Sequence, residues 1–219
     1  MTENPRRALI TGGTGSLGSA IAARLASEGF AVFAAGRGDG DVSRPEEARA
    51  LVERAAEKLG GLDLLVNGAS AGFEARPVSE VEEEDWDAAL DSTAKGSFFV
   101  TQAAVPRLRE SGRGLVVMIE DVAAYRAWPS FAPHCAAKAA QAMLTRLFAR
   151  ALAPEIRVCG IAPGPVAVDP GQEERRAAET LLGRIGSPED VGGAVLYLAN
   201  AGFVTGSTLF VDGGLLLNP

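Results

Sequence analysis

The chain has 219 residues, 47% of them apolar and 22% charged, with 26 glycines and a formal net charge of −7. That length and composition imply one domain with a substantial core, and exclude a disordered, collagen-like or disulfide-stapled chain. The acidic balance argues against nucleic acid as the main partner, because phosphate binding wants a basic surface.

No apolar run approaches the ~20 residues of a membrane span, and the opening MTENPRRAL carries no secretory leader. Cys135 and Cys159 are too few for a disulfide framework and lack metal-ligand spacing. A cytoplasmic protein with two core thiols, no metal and no membrane contact is expected.

RALIT (7–11) is a short strand running into a glycine turn, and SAIAARLASEG is an amphipathic helix closed by Gly29. FAVFAAGR is a second buried strand. The next helix, SRPEEARALVERAAEKLGG, carries Ser43 and Glu46 at capping-box spacing. LDLLVNGAS is a strand, EEEDWDAALDSTAKGSFFVTQAAVPRLRES one long helix, and RGLVVMIE a strand. APHCAAKAAQAMLTRLFARALAP is helical and IRVCGIAPG extended. SPEDVGGAVLYLAN is a helix with Ser187 at its N-cap, Pro188 at N1 and Asp190 at N3, and STLFVDGG is a last strand. Continuous apolar strands separated by helices imply a parallel sheet covered on both faces. Right-handed crossovers make it an α/β, single-domain, Rossmann-type doubly wound sheet, without repeats or linkers.

TGGTGSLGSA lies where the first strand turns into the first helix. Gly12, Gly15 and Gly18 let the backbone turn tightly and come close to a pyrophosphate, with the helix N-terminus behind them. In that position the pattern points to dinucleotide binding. The second strand ends AAGR, placing Arg37 where the adenosine ribose lies. Arg suits a 2′-phosphate, so NADP(H) is expected ahead of NAD(H), although Asp39 and Asp41 are close by.

With TGGTGSLG, LDLLVNGAS, RVCGIAPGPV and VTGSTLFVDGG in order, the chain resembles the short-chain dehydrogenases/reductases over nearly its whole length. The resemblance implies hydride transfer between a nicotinamide and a carbonyl, imine or activated alkene. It also implies cofactor contacts from Thr11, Gly12, Thr14, Gly15, Ser16, Leu17 and Gly18, and from Arg37, Asp41 and Val42 around the adenosine. Asn67 and Ala69, Lys138, and Pro163 and Gly164 complete that set.

Of the family's usual Asn, Ser, Tyr and Lys, only the lysine matches, as Lys138. His134 occupies the tyrosine, Asp121 the serine and Thr93 the asparagine. Asp121 with the strand end Asn67-Gly68-Ala69-Ser70 is similar to the pteridine reductase subgroup. A pterin or a carbonyl compound is the small-molecule substrate this implies. A reductase similar to the 3-oxoacyl-carrier-protein reductases is a further option.

A lysine cation beside neutral histidine discourages protonation, whereas an Asp121 carboxylate bonded to His134 favours it. His134 and Lys138 are four apart and share a helix face. Asp121, His134 and Lys138 therefore form a candidate proton-delivery set. Tyr125 is placed in the loop after its strand, as a pocket wall rather than a substitute.

Between Arg37 and Ser43 stands only GDGDV, where the family inserts a helix and a third strand. The sheet is thus expected to be shortened in the strand 2/strand 3 region, at its edge, with central packing spared. The adenine pocket should lose one wall, and Gly36, Gly38 and Gly40 should leave the link mobile. The segment AVDPGQEERRAAETLLGR stands where the family lids its substrate. The opposing reading is a non-catalytic nucleotide-binding or oligomerisation module that has lost the tyrosine. By resemblance, the long helices are expected to pair copies into a homodimer or homotetramer.

Overall fold

The structure is a computed structural model and describes residues 4–166, 168 and 170–218. Six strands, β1 (Arg7–Thr11), β2 (Ala31–Ala35), β3 (Leu64–Asn67), β4 (Gly114–Ile119), β5 (Ile156–Pro163) and β6 (Thr208–Val211), form one parallel sheet in the order β2-β1-β3-β4-β5-β6. The helices are α1 (Ser16–Ser27), α2 (Pro45–Leu59), α3 (Glu83–Ala89), α4 (Gly96–Glu110), α5 (Ala132–Leu152), α6 (Glu173–Ala178) and α7 (Pro188–Asn200).

Alternation along the strands divides the core into two layers. Leu9, Leu65, Val116 and Val158 pack on Leu51 and Val52 of α2, Val100, Ala104 and Leu108 of α4, and Phe148 of α5. Their neighbours Ile10, Val66, Val117 and Ile161 face Ile21 and Leu25 of α1 and Val191, Val195 and Leu198 of α7. Because every central strand is covered on both sides, its sequence reads as an unbroken apolar run. Among the described residues, no helix is long and apolar enough to cross a membrane.

The sheet is shortened as expected. β2 is its edge and β6 closes the other side, so among the described residues no strand lies beyond β2. Its exposed flank shows in Ala34, which is open to solvent.

The link after β2 differs from the mobile connection expected. Arg37–Asp39 forms a 3₁₀ turn in which the Asp39 carboxylate accepts from the Gly36 amide at 2.9 Å. The Asp41 amide donates to Glu47 at 2.8 Å, and Arg54 donates to the Asp39 carbonyl. Asp39 thus closes the turn on itself, and the Glu47 and Arg54 side chains of α2 hold the backbone of the link against that helix.

Two helix starts also need comment. Arg44, not Ser43, is the N-cap of α2, because Pro45 takes N1, and no side chain caps that end. At α7 the expected arrangement is present, with Ser187 and Asp190 forming a capping box. The long helix before β4 is interrupted by a π segment, Leu90–Lys95, between α3 and α4. Such widened turns often accompany functional sites.

Candidate active site

Parallel strands bring their C-terminal ends to one edge, and the connections leave in opposite directions from β1 and β3. A crevice therefore opens there. Thr11, Asn67, Asp121 and Pro163 all lie at that edge, with the glycine turn after β1.

The turn is shaped by close approaches. Gly12 has φ +68°, and a Cβ there would come within 2.6 Å of the Gly68 carbonyl oxygen. A Cβ on Gly18 would collide with the Gly12 carbonyl. Gly15 is different: it caps α1 without a side-chain bond, is exposed, and its Cβ would meet only Gly12 oxygen, at 3.4 Å. It leaves the unpaired first-turn amides of α1, including Ser16 and Leu17, approachable from the crevice. Those donors, the positive end of the helix and the bare backbone fit a dinucleotide pyrophosphate. Thr14 packs its side chain where a Gly36 Cβ would stand, 2.7 Å away, which brings the Arg37 turn beside the glycines.

Several residues of the expected cofactor set are internal struts. Thr11 is 2% exposed, and its hydroxyl accepts from the amides of Gly68 and Ala69 at 3.2 and 3.3 Å. Asn67 is buried and donates to Thr101 at 2.9 Å, while its Oδ1 is without a partner. Gly164 is forced by the Asp212 backbone, whose Cα would lie 2.7 Å from a Cβ there. Arg37 and Asp41 are exposed. Hydrogen bonds from Ser43, with Arg44 and Arg37 assisting, hold the Asp41 carboxyl below its ordinary range. Val42 reaches inward to Gly96 at the start of α4.

The proton-delivery candidates meet where α5 starts. Asp121 follows β4 and accepts from the Ala123 amide at 2.7 Å through one oxygen, and its other oxygen lies 3.4 Å from His134 Nε2. His134 is 5% exposed, which removes it from the solvated positions a helix start usually offers. One reason is Phe73, whose ring stacks on the imidazole with centroids 4.0 Å apart. Lys138 is buried and donates to the Ile119 carbonyl at 2.8 Å and to Gln141 Oε1 at 3.1 Å, using two of its three N–H groups. Burial pushes its pKa down to about 8, against the opposing pull of Asp121 and Glu120.

Thr93 is not offered to the crevice. It sits fully buried in the π segment, its hydroxyl 3.0 Å from Ser70. Ser92 accepts from the Ala71 amide at 2.8 Å, so the π segment anchors the loop after β3. Tyr125 turns away to Glu120, its hydroxyl 2.6 Å from that carboxylate. Burial and then this bond push its pKa up to about 12, which removes it as an acid near neutrality.

A cavity of about 500 Å³ opens between the loop at 72–76, α3 and the start of α5, with Phe73, Arg76, Phe131 and His134 on its walls. It reaches the candidate set through His134. Beyond β5, Ala167 and Asp169 of the expected lid lie outside the described residues. In the same segment α6 exposes Glu173, Glu174 and Arg175, and Arg176 sits over the Trp128 ring at 5.7 Å. Among the described residues no cluster of ligating side chains could hold a metal ion.

Comparison with known proteins agrees with this fold. The profile of the enoyl-(acyl carrier protein) reductase family matches residues 38–216. Human dehydrogenase/reductase SDR family member 4 is 34% identical over 239 aligned positions, covering 94% of this chain and 86% of its own. The 3beta-hydroxysteroid dehydrogenase 1 of Eggerthella lenta is 35% identical over 248 positions, with 96% and 94% covered. A gluconate 5-dehydrogenase from Burkholderia cenocepacia, solved with NADP and tartrate, superposes with a TM-score of 0.87 at 31% identity, covering 96% and 94%. A 3-ketoacyl-(acyl-carrier-protein) reductase from Brucella melitensis, solved with NADH, gives 0.91 at 27% identity, covering 96% and 98%. The glycine turn, the parallel sheet and these relatives together make the chain a member of the short-chain dehydrogenase/reductase family, whose relatives here are oxidoreductases.

Proposed function

We propose that this protein is a nicotinamide-dependent oxidoreductase that reduces a small carbonyl compound, using NADP(H) ahead of NAD(H), with Asp121, His134 and Lys138 handling the proton. The observation that carries the reading is their convergence: a buried histidine facing a carboxylate, one helical turn from a buried lysine, at the edge where the glycine turn opens. When bound, the cofactor supplies the hydride to the carbonyl carbon.

The chain's own groups do the rest. The α1 amides beyond Gly15 hold the pyrophosphate, and Arg37 beside the turn recognises a 2′-phosphate. Lys138, with one N–H left over, holds a cofactor hydroxyl and contributes its charge to the crevice. His134 in its protonated form donates to the carbonyl oxygen as negative charge develops there, and Asp121 stabilises the imidazolium before transfer. The proton is then recovered from solvent.

Two finer readings belong beside this one. The Asp121 position, shared with the pteridine reductase pattern, supports a pterin as the second substrate class. Relatives named for keto, hydroxysteroid and gluconate chemistry favour a carbonyl or alcohol. The non-catalytic alternative leaves the buried Lys138 charge without a use. Met143 and Leu147, exposed on α5, support pairing of copies through the long helices.

Titration with NADPH and then NADH, followed by cofactor fluorescence, tests the reading. Saturation below millimolar NADPH, followed by turnover of a ketone or dihydropterin panel, is expected. Absence of binding at millimolar cofactor overturns it.

A further inference from the structure

Two successive carboxylates, Glu120 and Asp121, follow β4, and the first has no role in the proton-delivery set. Glu120 is 1% exposed. Its oxygens accept from the hydroxyls of Tyr125 at 2.6 Å, Thr145 at 2.6 Å and Thr208 at 3.1 Å. All three donors are neutral, and among the described residues no cation lies within 4.0 Å of the carboxylate. The fold reserves space for it, since a Cβ on Gly160 of β5 would collide with Glu120 Oε1.

The same face of α5 carries Lys138, Gln141 and Thr145, spaced so that Lys138 and Thr145 meet the end of β4 with Gln141 between them. Lys138 donates to the carbonyl of Ile119 at 2.8 Å, and Thr145 donates to the side chain of the next residue, Glu120. Gln141 joins them, accepting from Lys138 at 3.1 Å and donating to Ser97 of α4 at 2.8 Å. All of these groups are buried. Lys138, like Glu120, has no ion pair within 4.0 Å among the described residues. Two opposite charges are therefore withdrawn from water and held one peptide unit apart in attachment, each satisfied only by neutral groups. A buried charge without compensation is strongly unfavourable, and low dielectric lengthens the reach of its partner.

We propose that Glu120 is a positioning residue for Lys138, a second fixed counter-charge that acts from behind the strand beside Asp121 and helps to keep the lysine cationic and seated at the crevice. Its functional meaning rests on the reading of Lys138 given above, whereas the charge relationship does not. The other charged or titratable groups around the pair are Asp121 on the β4 side, His134 and Arg146 on α5, and Tyr125 in the following loop. Among the described residues, the contacts to the pair and its hydrogen-bond partners from β5, β6 and α4 are the uncharged Gly160, Thr208 and Ser97.

The chain has three lysines, and Lys58 and Lys95 are exposed, so titration of [13Cε]lysine by NMR resolves Lys138 against two internal references. In the wild type Lys138 should titrate near 8. Glu120→Gln keeps the shape, and the surrounding hydroxyls can reorient to accept from the amide. It should lower the Lys138 midpoint by about half a pH unit or more, leaving Lys58 and Lys95 unmoved. Tyr125→Phe removes a hydrogen bond but keeps the charge, and should leave the midpoint within about 0.3 unit. An unchanged midpoint in folded Glu120→Gln, or an equal fall in Tyr125→Phe, overturns the proposal. Should Glu120→Gln not fold, the double variant Glu120→Ser/Gly160→Ala removes the charge and refills the space, and is read in the same way. The titration needs no cofactor. Failure to bind NADPH would therefore sink the oxidoreductase reading alone, and a static Lys138 midpoint this proposal alone.

Discussion

The His134 imidazole lies against the Phe73 ring, with centroids 4.0 Å apart and planes inclined by 30°. Phe73 belongs to the loop after β3 and is itself half-exposed, so one face of its ring shields the histidine from water and the rest stays open to solvent. The other constraint comes from Asp121, whose Oδ2 lies 3.4 Å from Nε2, at the long end of hydrogen-bond distances. A proton donor held this way should lose its function when either the ring nitrogen or the carboxylate is removed.

His134→Phe is expected to leave NADPH affinity within about twofold and to slow hydride transfer by about 10²-fold or more, the usual contribution of a general acid. Asp121→Asn should slow it by about 10-fold, and His134→Tyr should keep more activity than His134→Phe because a phenol still carries a transferable proton. Stopped-flow cofactor fluorescence measures all three. Equal rates in wild type and His134→Phe would exclude His134 as the donor.

Lys138 gives a pH dependence of stability with a definite sign. An unfolded lysine titrates near ~10.4, whereas burial holds Lys138 near about 8 in the fold. Between those values the unfolded chain binds the extra proton, so folding stability contributed by this group rises with pH. Below pH 8 both states are charged and the burial penalty is fully present. The unfolding free energy of wild type minus that of Lys138→Met should therefore increase from pH 8 to 10, by at most about 2–3 kcal/mol. Denaturant titrations at three pH values read it. A flat difference would show that Lys138 is not desolvated.

How much of this was legible beforehand depends on whether the signal is local. Strands buried on both faces must be apolar throughout, so β1, β3, β4 and β5 stand out in the chain, and the missing edge strand shows as a short distance from Arg37 to Ser43. The glycine turn is legible because Gly12 and Gly18 have no alternative at those approaches. Thr11 and Asn67 stand at the strand ends the motifs indicate, but only packing reveals that the Thr11 hydroxyl holds the Gly68 and Ala69 amides and that Asn67 donates to Thr101 of α4. Glu120 reads as the polar end of a strand. Its burial depends on Gly160, Thr145 and Thr208, which lie 25 or more residues away and carry no pattern linking them to it. Phe73 escapes for the same reason: nothing in GFEARP says which ring it will cover.

Cofactor choice should turn on Arg37. It is exposed on the 3₁₀ turn that Asp39 and Arg54 hold in place, and the Thr14–Gly36 approach sets that turn beside the glycines. A single charged contact to a 2′-phosphate is worth about 1.5–3 kcal/mol, and NADH has no such group. Arg37→Ala should raise the Kd for NADPH by about 10-fold or more and leave that for NADH within about twofold. Isothermal titration with both cofactors decides it. Equal losses for the two would assign Arg37 to holding the turn rather than reading the phosphate.

At the opposite end of the sheet, Asp63 is expected to set the acid limit of stability. Its carboxylate is almost wholly buried and meets Arg7 at 2.8 Å and Arg113 at 3.0 Å, and the Arg7 amide donates to it at 2.7 Å. Burial alone would raise its pKa, but the two guanidiniums and the amide overcome that and hold it below the ordinary value. A depressed carboxyl stabilises the fold above the unfolded pKa of about 3.9 and loses that contribution as pH falls through the folded value. The two arginines are partly solvated, which discounts the ion pairs, so Asp63→Asn should cost about 1–2 kcal/mol at neutral pH. Since the variant has no proton to gain there, its stability deficit should shrink as pH drops below about 4. Thermal denaturation of the two proteins at neutral pH and at pH ~3.5 measures the convergence. A deficit that stays constant across that range would mean that Asp63 acts through packing and neutral hydrogen bonds rather than through its charge.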